Sequence, residues 1–88
     1  MKFAANRPFA DPEKAARKLL EIAKAVESVQ DGRIHIEKIN APFLYKERGS
    51  VAEYGAALKH AIDRGWLVMH ESGTFVRLTQ SGADHLLA

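Results

Sequence analysis

The four histidines are the side chains of this sequence best suited to chemistry near neutral pH, because imidazole titrates there and binds transition metals. They lie far apart along the chain, at His35, His60, His70 and His85. No two have the i, i+3 or i, i+4 spacing of a helical metal site, and cysteine is absent. His35 and His70 would meet if their strands joined one sheet, but two histidines make an incomplete ligand set. We therefore expect no metal site and no cofactor.

Motifs typical of enzyme families are also missing from this sequence. Gly-x-Ser-x-Gly, which presents a nucleophilic serine, does not occur. The Walker-type and Gly-x-Gly-x-x-Gly loops that cradle phosphates do not occur either. Because no nucleophile motif, phosphate loop or metal site is present, we expect that the chain is not an enzyme.

The bulk composition narrows the classes of protein that remain. The 88 residues, 47% of them hydrophobic and 27% charged, are typical of one small globular domain. No stretch approaches the roughly 20 apolar residues that span a bilayer, so no membrane partner is expected. The absence of cysteine fits a reducing compartment, which predicts a cytoplasmic protein.

The charge distribution permits binding to nucleic acid without requiring it. The net charge is +2 and the isoelectric point is near 9.1. From Tyr45 onward basic and acidic residues are equal in number, so the positive excess lies in the first half of the chain. The basic residues there are Lys46, Arg48, Lys59, Arg64 and Arg77, and the acidic ones are Glu47, Glu53, Asp63, Glu71 and Asp84. Because this second half of the chain has no net charge, the release of counterions from DNA would add little to its affinity for DNA.

A capping signal begins the first predicted helix. Asp11 followed by Pro12 and an acidic first turn is typical of a helix start, and apolar residues at helical spacing follow. We therefore predict a helix over 12–29. Residues 1–11 are interpreted as an N-terminal arm, and residues 12–88 as one domain.

The next segment predicts a short strand and a second helix. Polar and apolar residues alternate over 33–37, which is the pattern of a strand with one buried face. Asn40 is placed to cap a helix over 40–48. Gly49 is expected to end that helix in the left-handed conformation.

A third helix and a β-hairpin are predicted next. Ser50 and Glu53 have the spacing of a capping box, which predicts a helix over 50–64 that stops at Gly65. Strands are predicted at 66–70 and 74–78, joined by a tight turn that contains a glycine.

This order of elements resembles that of winged helix-turn-helix proteins, in which two helices with a short break are followed by a hairpin, or wing. Residues 40–67, and especially 58–67, resemble the recognition helix of that superfamily and its exit into the wing. Residues 78–82 (Leu-Thr-Gln-Ser-Gly) resemble the Leu-Thr-x-x-Gly run that often follows the wing, and Thr79 would cap a last helix. The resemblance covers residues 12–88. It implies an α+β fold with a three-helix core, a short strand after the first helix, a hairpin wing and a short C-terminal helix.

By this resemblance the third helix would lie in a DNA major groove, with its first residues against base edges. Val51, Leu58 and Ile62 are expected to face the core. The residues then facing outward are Ala52, Glu53, Ala56, Ala57, His60, Asp63 and Arg64. None near the helix start is an arginine, lysine, asparagine or glutamine, the side chains that read bases through paired hydrogen bonds. The candidate DNA-contacting residues are Lys46, Arg48, Ser50, Ala52, Tyr54, Ala57, Lys59, His60, Arg64 and Arg77.

Some side chains have both a structural and a functional interpretation. Glu53 either closes the capping box or accepts a hydrogen bond from a cytosine amino group. The outward alanines, with Tyr54 beside them, either reflect helix propensity alone or allow a partner to approach closely. The large aromatic residues are expected in the core; they are Phe3, Phe9, Phe43, Trp66 and Phe75.

Two functions follow from these patterns. The first is a small, transcription-associated module that makes weak or non-specific contacts with double-stranded DNA through the third helix and the wing. The alternative is a protein-interaction domain without DNA binding. That domain would use the same face, or the first helix, to bind a protein partner or to form a homodimer.

Overall fold

The computed structural model describes residues 8–27 and 33–87 of the chain. Within these ranges four α-helices and a three-stranded antiparallel sheet form an α+β fold. The helices are α1 (Pro12–Glu27), α2 (Glu37–Ala41), α3 (Val51–Asp63) and α4 (Gln80–Leu87), and the strands are β1 (Ile34–His35), β2 (Leu67–Met69) and β3 (Phe75–Leu78). A 3₁₀ turn (Pro8–Ala10) precedes α1, and a π-helical turn (Pro42–Lys46) extends α2. Residues 1–7 of the predicted arm, Phe3 among them, and the predicted helical residues 28–29 lie outside the described ranges.

The first helix, α1, begins as predicted. Asp11 Oδ1 accepts the Glu13 N–H (3.0 Å), and Pro12 occupies the first helical position, where its missing N–H costs nothing. The end of the predicted arm contributes to the core, because the Phe9 ring packs on Phe43 with centroids 4.9 Å apart. The buried side of α1 consists of Ala15, Ala16, Leu19, Leu20 and Ala23.

The prediction that Asn40 caps the second helix is wrong. Ile36 already has helical backbone angles (φ −58°, ψ −34°), and its carbonyl accepts the Asn40 N–H at 2.9 Å. The Ile36 N–H still donates to the Thr74 carbonyl beside β3 (2.9 Å). The chain therefore passes from strand to helix at one residue. The predicted strand over 33–37 is accordingly reduced to Ile34–His35.

The turn after α2 differs from the predicted one in the residue that has the left-handed backbone. Pro42 has no N–H to continue the α-helical ladder, and a wider π-helical turn follows, in which the Glu47 N–H donates to the Pro42 carbonyl (2.9 Å). The left-handed residue is Arg48 (φ 62°), so the prediction that Gly49 has this conformation is wrong. Gly49 is required for a different reason, because a Cβ there would overlap the Phe43 ring.

The third helix, α3, has both of the end signals predicted for it. Ser50 Oγ accepts the Glu53 N–H (3.0 Å), and Glu53 Oε1 accepts the Ser50 N–H (2.9 Å), which completes the capping box. At the other end Gly65 is left-handed (φ 76°) and donates its N–H to the Ile62 carbonyl (3.0 Å). The structural interpretation of Glu53 as a capping residue is therefore confirmed.

The face that α3 turns to the core differs from the predicted one. Ala57 and Ala61 are fully buried, whereas Val51 is 74% exposed. The prediction that Val51 faces inward and Ala57 outward is therefore wrong, although Leu58 and Ile62 do pack against the core. The helix that α3 packs on explains the rotation. The buried side of α1 is itself rich in alanine, and small side chains on both helices allow the two backbones to approach closely.

The sheet has β3 in the middle, with β1 on one side and β2 on the other. Its inner face is buried through Ile34, Leu67 and Val76. The predicted hairpin turn is confirmed, since Gly73 (φ 76°) donates its N–H to the His70 carbonyl (2.8 Å). The sheet therefore covers the helices with one face and leaves the other accessible.

The last helix, α4, is joined to the exit of α3 through Thr79. Thr79 Oγ1 accepts the Gly82 N–H (3.0 Å), which is the predicted cap, and donates to the Gly65 carbonyl (2.6 Å). A Cβ on Gly82 would overlap the Trp66 carbonyl. The threonine and the glycine of the Leu-Thr-x-x-Gly run thus have physical roles, one as a cap and one as a point of close approach.

Candidate functional site

The candidate contact residues named from the sequence do not form one surface. Most are exposed: Lys46, Arg48, Ala52, Lys59, Arg64 and Arg77. Ser50, Tyr54 and His60 are half-buried, and Ala57 is fully buried. The exposed residues are divided among the start of α3, the end of α3 and the sheet.

The prediction that Ala57 contacts DNA is wrong, whereas Tyr54 is half-buried. Ala57 has no exposed surface. The Tyr54 ring lies 6.0 Å from that of Phe43 and packs against the core, and burial raises the pKa of the Tyr54 hydroxyl. Both residues belong to the side of α3 that the rotated packing turns inward. Ala57 is therefore a structural residue, and Tyr54 contributes packing to the core.

The basic residues near the end of α3 are already engaged by carboxylates. Lys59 Nζ donates to Asp63 Oδ2 at 2.8 Å, and this hydrogen bond raises the pKa of the lysine amine. Arg64 lies 3.8 Å from Glu13 Oε1, and His60 Nε2 lies 3.7 Å from the same oxygen. These groups therefore offer little uncompensated positive charge to an anionic partner.

The start of α3 has a different character. The exposed residues around it are Tyr45, Lys46, Arg48, Val51 and Ala52, which we call the α2–α3 surface. Lys46 and Arg48 form no ion pair with any residue in the described ranges. The neighbouring carboxylates have other partners, since Glu47 lies 3.9 Å from Lys18 Nζ and Glu53 completes the capping box. The positive charge of this surface is therefore uncompensated by its neighbours.

A second surface was missed by the sequence reasoning. Arg33, His35, Val68, His70, Phe75 and Arg77 share the accessible face of the sheet, which we call the outer sheet face. The prediction that Phe75 lies in the core is wrong, because it is half-buried on this face. The alternation of side chains between the two faces of β3 could have predicted the position of Phe75. Since residues two apart share a face, an exposed Arg77 turns Phe75 outward and Val76 inward.

Neither surface contains a recognisable metal site. Within residues 8–27 and 33–87 no group of three or more histidine, cysteine, aspartate or glutamate side chains is arranged to hold a metal ion. In the same ranges no helix is long and apolar enough to cross a membrane.

A scan of protein-family models found no match, and comparisons with curated proteins and with solved structures found no significantly similar protein. The functional argument therefore depends on the geometry and charge of the two surfaces.

Proposed function

We propose that this chain is a winged helix-turn-helix module that binds double-stranded DNA with little sequence preference. In this proposal α3 is the recognition helix, the β2–β3 hairpin is the wing, and the α2–α3 surface makes the main contacts with phosphates. The order of elements supports the proposal, because a short turn joins α2 to α3 and the hairpin follows α3 directly. β1 pairs with β3 and completes a small sheet beside the helices.

The observation that carries the proposal is the pair of exposed, unpaired cations before α3. Lys46 and Arg48 have no carboxylate partner in the described ranges. The net charge of residues 45–88 is zero, but this sum does not show which cations are unpaired. Several of the acidic groups are already paired with other cations, as Asp63 is with Lys59. Uncompensated cations attract phosphates and release condensed counterions, and this release supplies most of the affinity of non-specific DNA binding.

The first residues of α3 suit shallow contacts with bases. Val51 is 74% exposed and Ala52 is exposed, whereas Ser50 is half-buried and its hydroxyl oxygen accepts the Glu53 N–H. Apolar side chains of this kind contact the methyl group of thymine but form no paired hydrogen bonds with bases. Most of the affinity would therefore come from phosphates, and only a modest preference for thymine-containing sites is expected.

A fluorescence anisotropy titration with a labelled random-sequence duplex, repeated at several salt concentrations, tests the proposal. We expect the logarithm of the binding constant to fall linearly with the logarithm of salt concentration. Combining Lys46→Gln with Arg48→Asn should reduce the slope by about 2, since each phosphate contact contributes about 0.9. Asparagine is chosen at position 48 because it tolerates the left-handed backbone found there.

Lys59→Gln is the matched control for that double variant. Lys59 is an exposed lysine near the other end of α3, and its amine is paired with Asp63 Oδ2 at 2.8 Å. Because that charge is already compensated, its removal should change the contacts with phosphates little. The control should keep the wild-type slope. Absence of binding at low salt, or a double variant with an unchanged slope, would overturn the proposal.

A protein partner is the second candidate, and the exposed apolar residues of the same surface favour it. Tyr45 is 80% exposed and Val51 is 74% exposed. Large apolar and aromatic side chains are enriched in protein interfaces. Sedimentation velocity over a range of concentrations tests the homodimeric form of this candidate. Self-association that Val51→Ser weakens would support a homodimer, and a monomer at every concentration would exclude it.

A further inference from the structure

The outer sheet face brings together side chains that are distant in the sequence. The register of the sheet places His35 opposite Phe75, and Val68 opposite Arg77. Arg33 joins them from the residue before β1, because alternate residues of an extended chain share a face. The surface therefore combines apolar, aromatic and basic groups, and it is separate from the α2–α3 surface of the proposed function.

Phe75 is the centre of a cluster of rings on this face. The His70 ring is stacked on it, with centroids 4.3 Å apart and planes inclined by 20°. The His35 ring approaches it edge-on at 6.4 Å, and the Arg33 guanidinium lies over it at 5.6 Å. His70 is exposed, so it is an accessible ring of the stack.

The orientation of His70 is set by the hairpin turn. Its Nδ1 accepts the Ser72 N–H at 3.1 Å and lies 2.8 Å from the Ser72 hydroxyl, which pairs with Thr74 Oγ1 (2.8 Å). Because Nδ1 is an acceptor, the hydrogen-bond pattern assigns the proton of the neutral ring to Nε2. The ring and its remaining donor are therefore held in place without a ligand, which lowers the entropic cost of binding one.

The two charged side chains assigned to this face, Arg33 and Arg77, are both basic. β1, β2 and β3 contain no aspartate or glutamate. Arg33 and Arg77 form no ion pair with any residue that the structure describes. A hollow of about 80 Å³ lies between Val68, His70, Phe75 and Arg77. A complementary ligand would combine negative charge with flat aromatic groups.

We propose that the outer sheet face binds single-stranded nucleic acid. A base would stack on the exposed ring of His70, and phosphates would contact the guanidinium groups of Arg33 and Arg77. Stacking of unpaired bases on exposed rings beside basic groups is how many proteins bind single strands without sequence preference. A duplex keeps its bases inside the helix and cannot use this stack. An acidic peptide matches the charge of the face but not its rings.

Fluorescence anisotropy with a labelled oligo-dT strand and with a duplex of equal length tests the proposal on the full chain. His70→Ala should weaken binding of the single strand by about tenfold, because it removes the stacking ring. His70→Phe should restore most of that loss, since a phenyl ring also stacks. Arg33→Gln combined with Arg77→Gln should reduce the salt slope for the single strand by about 1.4, at about 0.7 for each phosphate.

Other variants and ligands separate this proposal from the proposed function. Lys46→Gln with Arg48→Asn should change binding of the duplex but leave the affinity for oligo-dT within about twofold. Unlabelled poly-glutamate should not displace the single strand. The proposal would be overturned if His70→Ala bound oligo-dT like the wild type while still folded, as judged by circular dichroism. Failure of His70→Phe to restore binding, or displacement by poly-glutamate, would also overturn it.

Discussion

At the scale of single residues, two glycines differ in the space around their α-carbons. A Cβ at position 49 would overlap the Phe43 ring, whereas a Cβ at position 55 meets nothing within 4 Å. Gly49→Ala should therefore lower the free energy of unfolding by about 1–3 kcal/mol through overpacking. Gly55→Ala, on the exposed side of α3, should raise it by about 0.5–1 kcal/mol through helix propensity. Urea denaturation measures both. Equal effects of the two substitutions would contradict the close contact with Phe43.

Glu53 supports a second prediction at this scale. Its carboxylate accepts the Ser50 N–H, and Glu53→Ala should cost about 0.5–1 kcal/mol of stability by leaving that donor without its partner. Glu53→Gln retains an acceptor oxygen and should lose less. If α3 lies against DNA, as proposed, Glu53→Ala should also tighten duplex binding by removing a negative charge. Thermal melts and the anisotropy titration measure the two effects separately. An unchanged melt together with lost DNA binding would mean that Glu53 contacts a base.

At the scale of elements, the contact between α1 and α3 sets which side of α3 is accessible. Ala57 is fully buried, whereas its neighbour Ala56 is exposed. Ala57→Leu should lower the free energy of unfolding by about 1–3 kcal/mol, because the packed helices have no room for a larger side chain. Ala56→Leu should change it by less than about 0.5 kcal/mol. Similarly small effects of the two substitutions in denaturant melts would mean that α3 is rotated as the sequence alone predicted, with both alanines outward.

At the scale of the whole molecule, α1 and α4 are joined by one arginine. Arg17 donates from its two terminal nitrogens to the carbonyls of His85 and Leu86, both at 3.0 Å. These bonds hold α4 in place, and there the His85 ring stacks on Trp66 with centroids 4.0 Å apart. Trp66 is the one tryptophan in the sequence and is 7% exposed, so its fluorescence reports on this contact.

Arg17→Met keeps most of the apolar stem but removes both hydrogen bonds. We expect the free energy of unfolding to fall by about 1–2 kcal/mol. Two hydrogen bonds from a fully buried charged group would contribute more, but the Arg17 side chain is partly exposed. The Trp66 emission should move to longer wavelength as α4 detaches and water reaches the ring. Lys14→Met, on the exposed side of α1, is the control and should leave the emission unchanged. A shift in the control, or none in Arg17→Met, would contradict this role of Arg17.

Several features of the molecule could be read from the sequence because they depend on groups only a few residues apart. The capping box of Ser50 and Glu53, the left-handed Gly65, the hairpin turn at Gly73 and the cap at Thr79 are all of this kind. The bonds that define them close within one or two turns of chain, so residue type and spacing suffice. The order of helices and strands, and hence the α+β class, follows from the same local signals.

Other features depended on contacts between segments distant in the sequence, and only the tertiary structure decided them. The inward side of α3 follows from the alanine-rich side of α1, which selects Ala57 over the larger Val51. The need for glycine at position 49 comes from the Phe43 ring. Which charges stay uncompensated depends on pairs such as Arg64 with Glu13, which local patterns do not reveal. The sequence therefore determined where most of the elements begin and end. Packing determined which faces they present, because burial and ion pairing depend on neighbours that folding brings together.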